Sequence, residues 1–101
     1  MNLYIIDEHG HIKLEKNVRK WGKWCQDHAG ELIISKNEIN GAVVSTVFIG
    51  ICVSELAEPM LYETMVFGGK WDRLQHRYNY SNKAEALLGH AAMVDIVTKG
   101  T

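Results

Sequence analysis

The residue types needed for acid–base or nucleophilic chemistry occur in two apolar stretches, 42–50 and 61–69, and in the last predicted helix. Polar side chains are unexpected inside a buried strand, and such local inconsistencies tend to mark functional or strained sites. Hydroxyl, carboxylate and imidazole groups together form the inventory of an acid–base or nucleophilic site. The candidate ligand-binding residues are Ser45, Thr46, Glu63, Thr64 and His90, and the candidate catalytic pair is Glu63 with His90.

Glu63 has a functional and a structural interpretation. Side chains alternate along a strand, so Glu63 shares a face with Leu61, Met65 and Phe67. If that face packs on the helices, the carboxylate lies in an apolar setting and requires a partner. In the structural interpretation the face is exposed, or Glu63 pairs with a cation such as Arg77 on the neighbouring predicted strand.

His90 also has two interpretations, because it follows Gly89 in a helix interior. Glycine there costs about 1 kcal/mol relative to alanine and therefore needs a reason. A close approach of the helix to a strand supplies one, and it would bring the His90 ring near the sheet. The alternative is a surface histidine beside a tolerated glycine.

No complete catalytic motif accompanies these candidates. The sequence lacks a nucleophile elbow, a phosphate-binding glycine loop and a metalloprotease helix. Serine and threonine in core strands more often bond to a neighbouring backbone group. The polar set therefore indicates a pocket without specifying a reaction.

The strands that carry these residues belong to a predicted α+β domain spanning residues 1–101. The pattern predicts a hairpin over 3–6 and 12–14, with Gly10 in its turn and Ile12 and Leu14 facing the core. Further strands are expected over 31–35, 42–50, 61–69 and 74–80, with a turn at 37–41. The order ββαβββ(β)α predicts one mainly antiparallel sheet of about five to six strands with two helices packed on it.

Each predicted helix has a capping residue and an apolar stripe. The first begins after Asn17, ends near Ala29 and is stopped by Gly30. The second begins at Ser81 or Asn82 and ends near Thr98. The first stripe comprises Val18, Trp21, Trp24, Cys25 and His28, and the second comprises Ala84, Leu87, Leu88, Ala91 and Val94.

Composition narrows the class of protein. The chain is 47% hydrophobic and 23% charged, with a net charge of −1, values typical of a folded globular domain. A duplex-binding protein normally carries a basic excess, so the net charge argues against nucleic acid as a partner. The basic residues Arg19, Lys20 and Lys23 are expected on a solvated helix face, and they are the candidate partner-binding residues.

Neither a metal nor another cofactor is predicted. His9 with His11, and Cys25 with His28, are possible half-sites for zinc, but no further cluster completes them in sequence. Cys52 is far from Cys25, so the two cysteines are expected to be reduced and to act as small apolar residues. The sequence also lacks a signal peptide and a membrane span, which predicts a cytoplasmic protein.

A longer pattern resembles a family of small proteins encoded by bacteriophages and prophages. The residues that carry it are a Val-Ser-Thr-Val-Phe-Ile-Gly strand at 44–50, a Pro-Met-Leu-Tyr-Glu-Thr-Met-Val-Phe-Gly-Gly segment at 59–69, and Gly-His at 89–90. Members of the family show a Trp-x-x-Trp segment and similar strands in the same order. They often carry Asp-His just after the first strand, where this chain has Cys52-Val53.

The resemblance implies a small accessory protein acting in the cytoplasm of an infected host. Our leading hypothesis is a non-enzymatic protein that binds a host protein or a small ligand, as an inhibitor of host defence. One alternative is a small hydrolase or lyase with a Glu63/His90 acid–base pair. Another is a homodimeric structural protein, paired through an unpaired strand at 31–35 or 74–80.

Overall fold

The computed structural model describes residues 1–52, 58–72 and 76–100. These residues form an α+β fold, as predicted. Its elements are β1 (Asn2–Ile6), β2 (Ile12–Leu14), α1 (Val18–Asp27), a 3₁₀ turn (Ala29–Glu31), β3 (Ile33–Ile39), β4 (Ala42–Phe48), β5 (Ile51–Cys52), β6 (Tyr62–Phe67), a second 3₁₀ turn (Gly69–Trp71), β7 (His76–Tyr80) and α2 (Lys83–Gly100).

The described strands form two antiparallel sheets, so the prediction of a single sheet is wrong. The larger sheet has the order β3-β4-β6-β7, and the smaller has the order β2-β1-β5. Gly50 is the physical reason for the split. Its φ of 65° breaks the strand after Phe48, and Ile51–Cys52 then pairs with the N-terminal strand.

Helix α2 packs across one face of the larger sheet. Side chains along β4 alternate between buried and half-buried, which shows that one face is covered and the other is partly exposed. Two adjoining cores lie beneath the helices. One surrounds Val44, Val66 and Val97, and the other surrounds Phe48 and Tyr62, where α1 and the smaller sheet close the end of the layer.

Several local predictions are confirmed. β1 and β2 form the expected hairpin, with Gly10 at a φ of 81°. Asn17 caps α1 by accepting bonds from the backbone N–H groups of Arg19 and Lys20. Asn82 caps the N-terminal turn of α2 through a bond from the backbone N–H of Glu85 at 2.9 Å.

Other local predictions are wrong, or concern residues that the structure does not describe. Ile12 and Leu14 are 38% and 48% exposed, because β2 is the edge of the smaller sheet and does not face the core. β3 runs to Ile39, through part of the predicted turn, so only Asn40-Gly41 turns the chain. The strand predicted over 74–80 is present as β7, and its first two predicted residues lie outside the described residues.

The buried stripe of α2 also differs from the predicted one. The side chains that face the sheet are Ala86, His90, Met93 and Val97, whereas Leu87 and Leu88 are exposed. The helix is apolar on nearly every side, so hydrophobic periodicity could not select its buried face. The true face is the one whose polar residue, His90, meets polar partners on the sheet.

Candidate functional site

The covered face of the larger sheet holds a chain of hydrogen-bonded side chains. Thr64 Oγ1 lies 2.6 Å from Thr46 Oγ1, which lies 2.7 Å from His90 Nδ1. On the other side of the ring, His90 Nε2 lies 2.7 Å from Asn37 Oδ1. Thr46 and Thr64 are neighbours because they are paired across β4 and β6. Three of the five candidate residues therefore meet, joined by Asn37, which the sequence placed in a turn.

The partners of His90 fix the direction of these bonds. The amide oxygen of Asn37 only accepts, so Nε2–H donates to it and Nδ1 of the neutral ring is an acceptor. The Thr46 hydroxyl then donates to Nδ1 and accepts from Thr64. Burial lowers the pKa of His90 below its ordinary value of 6.5, which favours this neutral form.

Close contact between α2 and β7 brings His90 to the sheet. A Cβ added at Gly89 would overlap the Tyr80 hydroxyl and the adjoining ring carbon. Only glycine leaves room for that ring against the helix backbone. The interpretation of Gly89 as a site of close approach is therefore confirmed.

This network is buried at Thr46, Thr64 and His90 and reaches the surface only at Asn37, which is exposed. Thr46 and Thr64 are fully buried and His90 is 5% exposed. Every polar group that the bonds join has a partner inside the protein, and no acid or base among these residues opens onto a cleft. Such a satisfied network rigidifies a core and specifies which helix face packs on the sheet.

Ser45 and Glu63 lie on the opposite face of the sheet from this network. Each is adjacent in sequence to a buried threonine, and the strand alternation turns it away. Glu63 accepts a 3.3 Å hydrogen bond from Asn79, which is directly across in the register. The expected partner Arg77 instead lies opposite Met65. The structure therefore separates Glu63 from His90 and replaces the expected ion pair by a bond to a neutral amide.

A separate cleft of about 600 Å³ lies between the β1–β2 hairpin, α1 and the start of α2. Its floor is apolar and its aromatic wall combines Trp24 with His28. The two rings stack with centroids 4.9 Å apart, and His28 Nδ1–H donates to the Trp24 carbonyl. The lining residues are Ile5, Ile6, Asp7, Glu8, Gly10, Trp24, His28, Glu31, Leu32, Ile34, Tyr62 and Lys83.

Tyr62 gives this cleft an unused polar group. The residue is 3% exposed and lines the cleft, and no described residue forms a hydrogen bond with its hydroxyl. Burial raises the pKa of Tyr62, so the hydroxyl remains protonated and available as a donor. Among the described residues, the Tyr62 hydroxyl is not one of the sealed polar atoms that lack a partner, so it is a donor that water or a ligand in the cleft can reach.

Carboxylates dominate the charge around the cleft. Asp7, Glu8 and Glu31 line it against a single lysine, Lys83. Asp7 is held in place because the backbone N–H groups of His11 and His9 donate to Oδ1 at 2.8 and 2.9 Å. The bond from His11 is the main cause that lowers the pKa of Asp7, and Lys13, whose Nζ lies 3.1 Å from Oδ2, and the bond from His9 lower it further.

Sequence reasoning missed this cleft because it assigned its residues to structural roles. Trp24 and His28 were placed in the core stripe of α1, and Tyr62 was placed inside a core strand. The available signal was the four-residue spacing of Trp24 and His28, which puts two aromatic rings on one turn of helix. The distance in sequence between α1 and Tyr62 hid the third ring.

The basic residues of α1 are exposed, as expected of a solvated face. Arg19, Lys20 and Lys23 all lie on the surface, and Lys23 pairs with Asp27 at 3.0 Å. Trp21 is turned inward instead, donating from Nε1 to the Tyr4 carbonyl at 3.1 Å. The basic and aromatic side chains of this helix therefore do not form one nucleic-acid-binding surface.

The described histidines, cysteines and carboxylates do not assemble a metal site. Within 1–52, 58–72 and 76–100, no three of them are placed to share an ion. Cys25 is partly buried, and desolvation raises the pKa of its thiol. None of the described helices is long and apolar enough to cross a membrane.

Comparison of the chain with protein-family models, curated proteins and solved structures finds no match.

Proposed function

We propose that this protein is a phage-encoded accessory protein that binds a host protein or a small ligand in the host cytoplasm, as an inhibitor of host defence, and catalyses no reaction. The strand and helix motifs that resemble the phage family support the setting. The hydrogen bonds around His90 support the non-enzymatic part, because the buried residues best suited to chemistry are occupied with one another.

The cleft is the observation that carries the binding role. It has the size of a small-molecule or peptide site, and its lining combines apolar and aromatic side chains with several charged ones. Trp24 offers a ring face, Tyr62 offers a hydroxyl donor, and Glu8 and Glu31 supply negative charge at the edge. These features favour a ligand with an apolar body and a positively charged group, such as an arginine-bearing segment of a host protein.

The positions of Glu63 and His90 do not support the alternative of a hydrolase or lyase. An acid–base pair needs both groups within hydrogen-bond reach or one water of it. The His90 ring extends from α2 onto the covered face of the larger sheet, whereas Glu63 projects from the opposite face. The two groups therefore do not lie within reach of each other or of one shared reacting group.

Affinity capture from host lysate, followed by native mass spectrometry, tests the proposal. Three baits are compared: the unaltered protein, a Glu8→Lys/Glu31→Lys double variant, and a Glu38→Lys control. All three altered positions are exposed, and Glu38 lies on β3, away from the cleft. The proposal expects a protein or ligand that the unaltered and control baits retain and the double variant loses.

Two results would contradict it. Recovery of no bound species by any bait would remove the binding role. Recovery of the same species by all three baits would place binding outside the cleft.

A further inference from the structure

Helix α2 presents an apolar surface to solvent on the side away from its buried stripe. Leu88 is 74% exposed and Ile96 is 50% exposed. A helix that is apolar all round is normally covered all round. This helix is covered by the sheet on one side only, which leaves a second side suited to a partner.

The residues on the exposed side are arranged symmetrically about Ala92, except that the two ends carry opposite charges. We call this side the outer stripe, and its residues are Glu85, Leu88, Ala92, Ile96 and Lys99. The steps between them are three, four, four and three residues, which places all five on one face of the helix. A charged residue stands at each end, of opposite sign, with a large aliphatic residue next and alanine at the centre.

We propose that the outer stripe is the contact between two copies of this chain, related by a two-fold axis at Ala92 with their α2 helices antiparallel. A two-fold contact must be self-complementary, since each residue meets its counterpart in the reverse order. Antiparallel pairing centred on Ala92 sets Leu88 of one copy against Ile96 of the other. It sets Glu85 against Lys99 at both ends.

The centre of the stripe favours close packing. Ala92 meets Ala92 at the axis, and the small side chains let the helices approach closely. Leu88 and Ile96 then pack on either side of the axis. The contact buries the most exposed large aliphatic side chain of the helix.

The charged ends can reach their new partners without a large cost. Lys99 Nζ lies 2.9 Å from Asp95 Oδ2 on its own helix, and Glu85 accepts a 3.5 Å bond from Ser81. Both interactions are exposed, and surface pairs of this kind contribute little. In the pair of helices, the Lys99 ammonium group lies between two carboxylates, that of Asp95 on its own helix and that of Glu85 on the second copy.

This inference is independent of the proposed function, since neither the cleft nor its ligand takes part. The contact comes from one helix pair, so its area is small and the association weak. Measurements must therefore extend to high protein concentration. Edge strands β3 and β7, which the sequence suggested as dimer contacts, are not required.

Charge reversal at the ends of the stripe gives a specific test by sedimentation velocity. Glu85→Lys alone and Lys99→Glu alone each create two like-charge contacts, and each is expected to raise the dimer dissociation constant by at least about tenfold. An equimolar mixture of the two variants restores both attractive contacts and is expected to form a heterodimer. A Lys36→Glu variant, on exposed β3, is the control and keeps the original constant.

Two results would overturn the inference. One is an unaltered protein that stays monomeric at the highest concentration reached, which would leave the stripe to a different occupant. The other is a mixture that associates no better than its components. As a second measurement, Ala92→Cys is expected to form a disulfide between the two copies at that position on mild oxidation, mapped by mass spectrometry, whereas Ala84→Cys does not.

Discussion

Thr46 Oγ1 and His90 Nδ1 lie 2.7 Å apart, although 44 residues separate them in sequence. Thr46 stands at the middle of the polar network, since it also bonds to Thr64 at 2.6 Å. The bond ties α2 to the centre of the larger sheet. It selects the face of α2 that packs inward, which the apolar pattern of the helix leaves open.

The two threonines are predicted to differ in their contribution to stability. Thr46→Val leaves both the His90 ring nitrogen and the Thr64 hydroxyl without a partner, and should lower the free energy of unfolding by about 2–3 kcal/mol. Thr64→Val removes only the terminal donor and should cost about 1 kcal/mol. Urea denaturation of the single and double variants measures both values, and equal losses would contradict the central position of Thr46.

Stability is predicted to fall as the pH is lowered through the titration range of histidine. The pKa of His90 is lowered in the folded protein, so the unfolded chain binds a proton first as the pH falls below about 6.5. The stability that His90 contributes is complete above that value and is lost as the pH approaches the lower, folded pKa. The pKa of Asp7 is also lowered in the folded protein, so its contribution to stability is lost only as the pH falls near and below the ordinary pKa of 3.8.

Unfolding free energies between pH 8 and pH 5 measure this effect. A His90→Gln variant should be less stable at pH 8 and should lose part of the pH dependence. The control is His9→Gln, which removes an exposed imidazole from the hairpin tip. An unchanged pH profile in His90→Gln would show that His90 is protonated equally in both states.

Two glycine-to-alanine substitutions are predicted to have opposite signs. Gly89→Ala places a Cβ against the Tyr80 ring and should destabilise the protein by about 1–3 kcal/mol. Gly22→Ala, in the interior of α1, meets no atom within 4 Å and should stabilise by up to about 1 kcal/mol. Thermal melts distinguish them, and a stabilised Gly89→Ala variant would mean that Tyr80 moves freely.

Glu63→Gln is predicted to leave stability within about 0.5 kcal/mol of the unaltered protein. The carboxylate lies on the partly exposed sheet face and accepts from a neutral amide, so no cation is stranded when its charge is removed. The sequence had favoured a loss of a few kcal/mol from a broken buried pair with Arg77. A loss of that size in a thermal melt would support the original pairing.

The strands could be predicted because their alternation and turn residues agree. β4 and β6 contain β-branched and aromatic residues and are separated from their neighbours by glycine turns. The division into two sheets could not be predicted in the same way. It depends on β5, a two-residue strand whose partner is almost fifty residues away, and no local pattern encodes such a pairing.

The sequence predicted which types of residue form the candidate site, but not which sheet face each side chain occupies. Polar residues in apolar strands correctly signalled a polar core at Thr46 and Thr64. Ser45 and Glu63 were grouped with them because adjacent residues were treated as one cluster, whereas a strand turns neighbours to opposite faces. Asn37 was not considered because it was placed in a turn, and only the length of β3 brings it beside His90.

Gly50 connects the two sheets, and it has a kinetic consequence. Its carbonyl accepts from the Tyr4 N–H at 2.8 Å, and an added Cβ would lie 2.7 Å from the Tyr4 carbonyl oxygen. A larger residue there would force the smaller sheet away while leaving β4 and β6 paired. We therefore expect hydrogen exchange in a Gly50→Ala variant to separate into two cooperative units, with amides of β1 and β2 exchanging well before those of β4.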